Sequence, residues 1–305
     1  MRKQACGKGV VDMKIKQGIR SRIFDIANTL IMLAVAFVMI YPLYYVVVAS
    51  FSNAEAYVRH RGMLWAPLEA NLMAYQQAFK NPMLLRGYAN TIFIVVVGVA
   101  INLVMTVIGA YFLSRKDVRL QKPIMILIIV TMFVSGGMIP FYFAVCDLGL
   151  RDSHWAIILP AAINTFNLII MKTSFMAVPE SLTESASLDG AGHIRTLWNI
   201  ILPVTKSSLA VIGLYYAVEH WSSWFNAMLF LESREKYPLQ LILREILIQN
   251  NVTEMADGGD VAGKAFMKET IKYAIIVIST APILCVYPFL QKYFTKGVMI
   301  GAVKG

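Results

Sequence analysis

Six apolar stretches, each close to the length that crosses a lipid bilayer, constrain the fold of this chain more than any other feature. They are residues 26–50, 88–114, 123–145, 154–176, 207–231 and 271–294. A hydrocarbon core about 30 Å thick requires about 20 apolar residues in an α-helix. Because 58% of the residues are hydrophobic and only 15% are charged, most of the surface cannot face water. The sequence therefore predicts an all-α membrane protein with six transmembrane helices.

Two of these stretches contain residues that interrupt a regular helix. The third includes Gly136, Gly137 and Pro140, and the fourth includes Pro160. Neighbouring helices must satisfy the backbone groups that such residues free inside a membrane. We therefore expect kinked helices that are buried in a bundle on at least one face.

The distribution of Lys and Arg predicts the orientation of the chain. Residues 1–25 carry seven basic side chains, and the tight loop 115–122 carries four in eight residues. The loop 146–153 has only Arg151, alongside two aspartates. Because basic residues concentrate in cytoplasmic loops, both termini are predicted to lie inside. The net charge of +10, which would suggest nucleic acid in a soluble protein, is thus interpreted as an orientation signal, with no nucleic-acid partner.

These predictions divide the chain into segments. The first stretch is too long for the core of a signal peptide, and Tyr41-Pro42 occupies the position of a cleavage site, so we expect a retained anchor. The segments are a basic cytoplasmic tail (1–25), the first helix with its outside loop (26–87), a core of five helices (88–294) with an inside loop (177–206), and a cytoplasmic tail (295–305).

Motifs that carry catalysis are missing from the sequence. No G-x-x-x-x-G-K-[ST] phosphate cradle, G-x-S-x-G elbow or H-E-x-x-H zinc motif occurs. The three cysteines, Cys6, Cys146 and Cys285, are far apart, and the four histidines are scattered. The sequence therefore predicts no catalytic residue, no metal site and no cofactor bound by this chain.

The inside loop 177–206 reads as two short helices joined by a turn. Pro179 suits a first helical position, and Gly190 and Gly192 interrupt the helix that follows it. A second helix is indicated by apolar residues at helical spacing, namely Ile194, Leu197, Trp198 and Ile201. This apolar stripe could lie on lipid as an interfacial helix, or it could contact a partner protein.

The same loop resembles the EAA loop of binding-protein-dependent ABC importer permeases. The family pattern is E-A-A, two residues, D-G-A and later I-x-L-P. The matching residues are Glu184, Ala186, Asp189, Gly190, Ala191, Ile200, Leu202 and Pro203. Ser185 departs from the pattern, but it replaces one small residue with another.

The resemblance implies a type I importer permease fold in which this loop is a coupling helix seated in a cleft of an ATPase subunit. Glu184 and Asp189 could meet basic residues of that partner, or they could simply cap and solvate the loop. The implied partners are a second homologous permease, two ATPase subunits that hold ATP and magnesium, an extracellular solute-binding protein and membrane lipid. The implied location is a bacterial cell membrane, which the chain crosses several times.

Similarity to the family extends along the chain. Residues 291–305 are similar to the tail of the shorter permease of maltose-type importers, which reaches between the ATPase subunits. Here that tail could also be simply solvated. The stretches TMFVSGGMIPFY and EKYPLQLILREIL resemble a subgroup associated with complex oligosaccharides and polysaccharide fragments. The expected function is therefore import of such saccharides.

One carboxylate lies inside a predicted span. Glu219 is about twelve residues from each end of the fifth stretch, roughly 18 Å from either membrane face. An ionisable group there costs on the order of 2.5–3.5 kcal/mol, so it should face the bundle or a wet cavity. Glu219 could bind sugar hydroxyls or gate the pathway, or it could only pair with a neighbouring polar group.

Other residues could line a saccharide pathway. The candidates are Trp221, Trp224, Asn226, Asn164 and Asn167. Aromatic rings stack on sugar rings and amides bind hydroxyls, but the same residues also pack cores, form interfacial belts or join adjacent helices. Four arginines on the predicted outside raise the alternative of an acidic saccharide; they are Arg59, Arg61, Arg86 and Arg151.

An ion-coupled secondary sugar transporter that titrates Glu219 is the main alternative function. The sequence contains no recognisable repeats of broken helices, which argues against it. A membrane-bound enzyme is also disfavoured, because no catalytic cluster is visible near a membrane face.

Overall fold

The computed structural model describes residues 19–249, 267–285 and 288. Within these residues all regular secondary structure is helical and no strand occurs, which confirms the predicted all-α class. The helices are α1 (Ile19–Ser50), α2 (Ala54–Arg59), α3 (Met73–Lys80), α4 (Pro82–Ser114), α5 (Gln121–Phe133), α6 (Met138–Asp147), α7 (Trp155–Ile158), α8 (Thr165–Met176), α9 (Glu180–Leu188), α10 (His193–Thr196), α11 (Leu202–Val204), α12 (Lys206–Trp221), α13 (Phe225–Phe230), α14 (Leu239–Gln249) and α15 (residues 267–285). A π-helical turn, Leu197–Ile201, joins α10 to α11, and a 3₁₀ turn, Arg234–Lys236, precedes α14.

Two helices, α1 and α4, are each long and apolar enough to cross a membrane. They correspond to the first and second predicted stretches. Helix α4 begins at Pro82, where the side chain of Asn81 accepts a hydrogen bond from the amide of Met83 at 2.8 Å. Pro at the first position and Asn at the N-cap are typical of a helix start.

The third, fourth and fifth stretches are broken rather than kinked, which corrects the expectation of continuous helices. Helices α5 and α6 meet at a bend of 117°. Gly137 lies there at φ 85° and ψ 169°, a conformation essentially limited to glycine. Residues 159–164 separate α7 from α8, and residues 222–224 separate α12 from α13. Among the described residues, the number of spans is two, or up to four if each strongly bent helix pair forms one.

Helix α4 is the centre of the bundle. Towards its C-terminal end, Ala110 and Leu113 pack in one cluster with Met171 of α8 and Ile212 of α12. Towards its N-terminal end it packs against α14 and α15 in a second cluster and against α7 and α13 in a third. Helix α1 differs, because only Val48, Ala49 and Ser50 at its C-terminal end are buried. Most of α1 is therefore uncovered in the isolated chain.

A carboxylate locks two loops together near the N-terminal end of α4. Asp152, at a left-handed φ of 52°, accepts hydrogen bonds from the amides of Glu232 and Ser233 at 3.0 and 2.9 Å. It also accepts hydrogen bonds from the hydroxyl of Ser233 at 2.6 Å and the ammonium of Lys236 at 2.7 Å. Lys236 and Ser233 together hold the pKa of the Asp152 carboxyl well below its usual range. We call this arrangement the Asp152 clamp.

Candidate functional site

The segment that contains the EAA-like pattern forms a rigid helical turn. Helix α9 ends at Leu188, and Gly190 follows in the left-handed region at φ 74°. The amide of Gly190 donates to the carbonyl of Ser187 at 3.1 Å, and the amide of Ala191 donates to that of Ala186 at 2.9 Å. This is the hydrogen-bond pattern of a Schellman motif, which favours glycine at the left-handed position. The prediction that Gly190 interrupts the helix is confirmed.

The second half of this segment is less regular than predicted. The prediction of a single regular helix with one apolar stripe is wrong, because the chain passes from α10 through a π turn into α11. The amide of Leu202 bonds the carbonyl of Leu197, five residues back, so the following side chains are rotated relative to an α-helix. Pro203 lies in the first turn of α11, and an 85° bend at Thr205 leads into α12.

The predicted apolar stripe is divided between two surroundings. Leu197 and Ile201 are buried in the cluster around the C-terminal half of α4. Ile194 and Trp198 are 77% and 60% exposed. Leu188, at the end of α9, is 89% exposed. Ile194 and Trp198 line a groove beside Val104 and Ile108 of α4, which Leu188 does not line. We call the three exposed residues Leu188, Ile194 and Trp198 the coupling face.

The acidic residues of the segment differ in their contacts. Glu180 pairs with Lys116 at 2.9 Å, which places the loop 115–122 and the loop 177–206 on the same side of the bundle. Glu184 and Asp189 are exposed and form no ion pair with the described residues. Asp189 follows the last residue of α9, where the helix dipole disfavours a negative charge. The position of Asp189 therefore gives no local reason for a carboxylate.

A second cluster of polar side chains lies at the middle of α4. Gly98 is the midpoint of that helix, sixteen residues from each end. Beside it, the Nε2 atom of His220 lies 2.7 Å from Oδ1 of Asn102, and Nδ2 of Asn102 donates to the carbonyl of Ala161. Ala161 belongs to the break between α7 and α8. Side chains from α4 and α12 thus satisfy backbone that the broken helix leaves free.

The same break is fixed at a second point. The backbone amide of Asn164 donates to the hydroxyl of Tyr216 at 3.0 Å, and that hydroxyl lies 2.7 Å from Oγ1 of Thr106. The side-chain oxygen of Asn164 caps α8 by accepting from the amides of Phe166 and Asn167. Four of these polar residues are almost completely buried, namely Asn102, Thr106, Tyr216 and His220. Sequence reasoning missed these four; Asn102 and Thr106, one turn apart in an apolar stretch, were the available signal.

The predicted pathway residues are only partly brought together. Glu219 is exposed on the surface of the isolated chain, with its carboxylate near the side chain of Asn164. Asn167 is buried, which favours its alternative role in helix packing. Asn226 is half-buried beside the break between α12 and α13.

The two tryptophans of the predicted pathway point to different neighbours. Trp221 packs edge-on against Tyr88, and its buried indole N–H has no hydrogen-bond partner in the part of the chain that the structure describes. Trp224 is capped by the guanidinium of Arg244, 4.8 Å from the ring centroid. The predicted residues therefore do not form one continuous surface within this chain.

The break between α5 and α6 lacks the hydrogen bonds that hold the break between α7 and α8. Helix α5 starts beside the C-terminal end of α4, where Gln121 donates to the carbonyl of Leu113 at 2.5 Å. Its 13 residues extend roughly 20 Å, which brings the break towards the level of the α4 midpoint. The amides of Ser135, Gly136 and Gly137 are exposed and make no hydrogen bond with the described residues.

Comparison with known proteins identifies what kind of chain this is. Residues 106–300 match the model of a family described as binding-protein-dependent transport system inner membrane component. The chain belongs to this family. Its members are non-catalytic permease subunits of ABC transporters, in which ATP hydrolysis belongs to separate subunits.

Two curated relatives from Bacillus subtilis cover nearly the whole permease chain. Protein LplC is 44% identical over 93% of this chain and 96% of its own length. The polygalacturonan/rhamnogalacturonan transport system permease protein YtcP is 39% identical over 94% of this chain and 100% of its own length.

A solved structure matches the permease as well. A chain from a bacterial ABC transporter involved in the import of the acidic polysaccharide alginate aligns with a TM-score of 0.84 and 34% identity, covering 91% of this chain and 99% of that one. The fold is therefore that of a type I ABC importer permease, as the EAA-like pattern implied. None of these comparisons supports an ion-coupled secondary transporter.

Proposed function

We propose that this permease imports oligosaccharides or polysaccharide fragments across a bacterial cell membrane, delivered by an extracellular solute-binding protein and driven by two ATPase subunits. The substrate class is supported by the relative YtcP, named for polygalacturonan and rhamnogalacturonan transport, and by the matched structure of an alginate importer. The chain would bind no cofactor, because ATP and magnesium would be held by the ATPase subunits.

The proposed topology has six spans with both termini in the cytoplasm. It is supported by the ion pair between Lys116 and Glu180, since the two loops predicted to lie inside are on one side of the bundle. The Asp152 clamp supports the same topology at the opposite end of the bundle. It joins the segments around Asp152 and residues 232–236, which are both predicted to lie outside. The tails 1–18 and 286–305, with the proposed tail contact to the ATPase, lie largely outside the described residues.

The coupling face is the observation that carries the proposal. Leu188, Ile194 and Trp198 are uncovered on the side predicted to be cytoplasmic, whereas Leu197 and Ile201 of the same segment are buried in the chain's own core. An apolar surface attached rigidly to buried residues transmits force from a partner into the bundle. The Schellman turn at Gly190 and the bend at Thr205 supply that rigid connection to α12.

The acidic residues of the coupling segment add a reason for an external partner. Asp189 lies at a helix C-terminus, where a carboxylate weakens the helix by about 0.3–1 kcal/mol. Neither Asp189 nor Glu184 forms an ion pair with a described residue, although Glu184 lines the same cleft as Arg115 and Lys116. We propose that both meet basic groups of the ATPase, while Ala186, Ala191, Leu202 and Pro203 shape the segment from within.

The second permease subunit would cover the surfaces that this chain leaves open at membrane depth. Lipid cannot satisfy the free amides of residues 135–137, because each unpaired backbone group in hydrocarbon costs several kcal/mol. We therefore place the break between α5 and α6, together with Glu219 and Asn164, on the pathway between the two permeases. Trp221, Trp224 and Asn226 would extend that pathway beside the break between α12 and α13.

Reconstituted transport tests the proposal. The complete complex, with its binding protein in vesicles, should take up labelled saccharide only when ATP and the binding protein are both present. Trp198→Ala should reduce transport by weakening the contact with the ATPase, while Trp155→Ala, a change of the same size near the opposite face, should not affect ATPase binding. Uptake that follows a proton gradient without ATP would instead support the secondary transporter.

A further inference from the structure

The four arginines considered for an acidic saccharide, Arg59, Arg61, Arg86 and Arg151, do not have the same partners. The ion pairs are Arg59 with Glu55, Arg86 with Glu235 and Arg151 with Glu232. Arg61 forms no ion pair with any residue that the structure describes, and its side chain is exposed. Because three of the four charges are already neutralised, these arginines give little support to an acidic saccharide. Arg61 is the one of these four whose charge no described residue pairs.

Arg61 belongs to a loop that is fastened to the side of α1. We call residues 60–65 the boundary loop. The amide of Leu64 donates to the hydroxyl of Tyr41 at 3.1 Å, and the hydroxyl of Tyr44 donates to the carbonyl of Trp65 at 2.5 Å. The ring of Trp65 stacks on Phe37 with centroids 6.2 Å apart, and Leu64 is buried. The loop therefore has a fixed height along α1.

That height corresponds to the edge of the hydrocarbon core. The apolar part of α1 begins at Ile26, and about 20 helical residues span the core, so the opposite edge lies near Tyr45. Tyr41 and the indole of Trp65 beside it then lie about 6 Å inside this edge of the hydrocarbon core. In the sequence, Arg61 lies between Tyr57 and Trp65, which carries this indole. The hydroxyl of Tyr57 is 2.8 Å from the hydroxyl of Tyr45. Arg61 thus lies at the outer edge of the hydrocarbon core, from which its long side chain reaches the level of the lipid headgroups.

The boundary loop presents an apolar part and a charged part to its surroundings. Met63 and Trp65 are 63% and 56% exposed on either side of the buried Leu64. Gly62, at φ 118°, has open space on the side where a side chain would project. Tryptophan is enriched at membrane interfaces, and a basic side chain at the surface attracts anionic headgroups. The flank of α1 next to the loop is also uncovered.

We propose that the boundary loop binds an anionic phospholipid, with the guanidinium of Arg61 at the charged headgroup and the side chains of Met63 and Trp65 against the acyl chains. The position favours lipid over saccharide, because the loop lies on α1, which packs on the described part of the bundle only near its C-terminal end, through Tyr45 and residues 48–50. The proposal rests on α1 crossing the membrane and is independent of the substrate.

Fluorescence quenching in nanodiscs tests this directly. The complete transporter is placed in equal parts of phosphatidylcholine and phosphatidylglycerol, with bromine on the chains of one lipid or of the other. The contribution of Trp65 is the difference between the wild type and Trp65→Phe. We expect brominated phosphatidylglycerol to quench this contribution more strongly, which corresponds to about fivefold local enrichment, since one basic residue contributes about 1 kcal/mol.

Two arginine variants provide the matched comparison. Arg61→Gln should remove the preference for phosphatidylglycerol, whereas Arg59→Gln, which loses an arginine already paired with Glu55, should keep it. Equal quenching by the two lipids in the wild type, or a preference that survives Arg61→Gln, would overturn the proposal. Absence of quenching by either lipid would also overturn it, because a protein partner would then cover the loop. Because this experiment measures quenching and not transport, a negative result would overturn the lipid proposal and leave the saccharide proposal unaffected.

Discussion

The Nε2 atom of His220 lies 2.7 Å from Oδ1 of Asn102, and this contact joins α12 to α4 at the centre of the bundle. Nδ2 of Asn102 donates to the carbonyl of Ala161, so Oδ1 is the acceptor in the contact with the imidazole. The hydrogen-bond network therefore assigns the proton of His220 to Nε2. A helix break, the central helix and the helix that carries Glu219 are thus held as one unit.

Gly98 provides space for this imidazole ring. A Cβ atom at residue 98 would lie 2.5 Å from Nε2 of His220, and the ring cannot move away without losing Asn102. Gly98→Ala should lower the stability of the purified complex by about 1–3 kcal/mol, measured as a lower thermal unfolding midpoint. Gly213→Ala is the control, because its Cβ would lie 3.5 Å from Leu103, an ordinary contact. Equal midpoints for the two variants would contradict the assigned packing.

Gly190 and Gly192 form a pair for testing the coupling segment. Gly190 has φ 74°, so Gly190→Ala should strain the turn by about 1–2 kcal/mol and reduce transport at a given rate of ATP hydrolysis. Gly192 has φ −69° and open space around it, so Gly192→Ala should transport normally. The ratio of saccharide moved to ATP hydrolysed is the measurement. A ratio unchanged in Gly190→Ala would argue against a rigid turn in coupling.

Substitution can test whether the charge of Glu219 acts in transport. Glu219→Gln keeps the size of the side chain and one acceptor oxygen but removes its charge, and we expect slower saccharide uptake with assembly of the complex intact. Glu232→Gln, an exposed acid in an ion pair with Arg151, is the control and should transport at the wild-type rate. The measurement is initial uptake in vesicles. A fully active Glu219→Gln would leave only a packing role for this residue.

The Asp152 clamp should respond to mutation and to pH in a defined direction. Asp152→Asn removes the charge that Lys236 and Ser233 stabilise. We expect this to lower the free energy of local unfolding by roughly 1–2 kcal/mol. Since the pKa of Asp152 is held low in the folded protein, the stabilisation is complete above the usual pKa of about 4 and is lost as the pH falls through the lower folded value.

Hydrogen exchange of residues 231–237 measures this effect. Exchange should accelerate in Asp152→Asn at neutral pH, while the wild type should keep its protection from pH 8 down to about pH 5. Lost protection in the wild type between these values would show that another group controls the loop.

Several features could be predicted from the sequence because they depend on local or composition-level physics. Helix α4 was predicted because a long apolar run has no alternative to a helix in lipid. The end of α9 at Gly190 was predicted because a left-handed turn favours glycine. The family was indicated because the EAA-like residues sit at fixed spacing within one loop.

Other features could not be predicted, because they depend on which helices become neighbours. The break at residues 222–224 contains no glycine or proline, so no local signal marks it. Leu197 is buried and Trp198 is exposed, and which of the two faces the core is decided by how the segment packs against the C-terminal half of α4. The network around Asn102 joins residues 118 positions apart, and no periodicity encodes such a contact.

The sequence alone determined that this chain is a helical membrane protein with an EAA-like motif, because hydrophobic length and motif spacing are properties of the linear chain. The tertiary structure decided which polar groups are satisfied within the chain and which are left for partners. Asn102 and Tyr216 seal the break between α7 and α8, whereas residues 135–137, the coupling face and Arg61 remain open. The physical reason is that a buried polar group needs a partner at hydrogen-bond distance, and only the folded arrangement of helices supplies or withholds it.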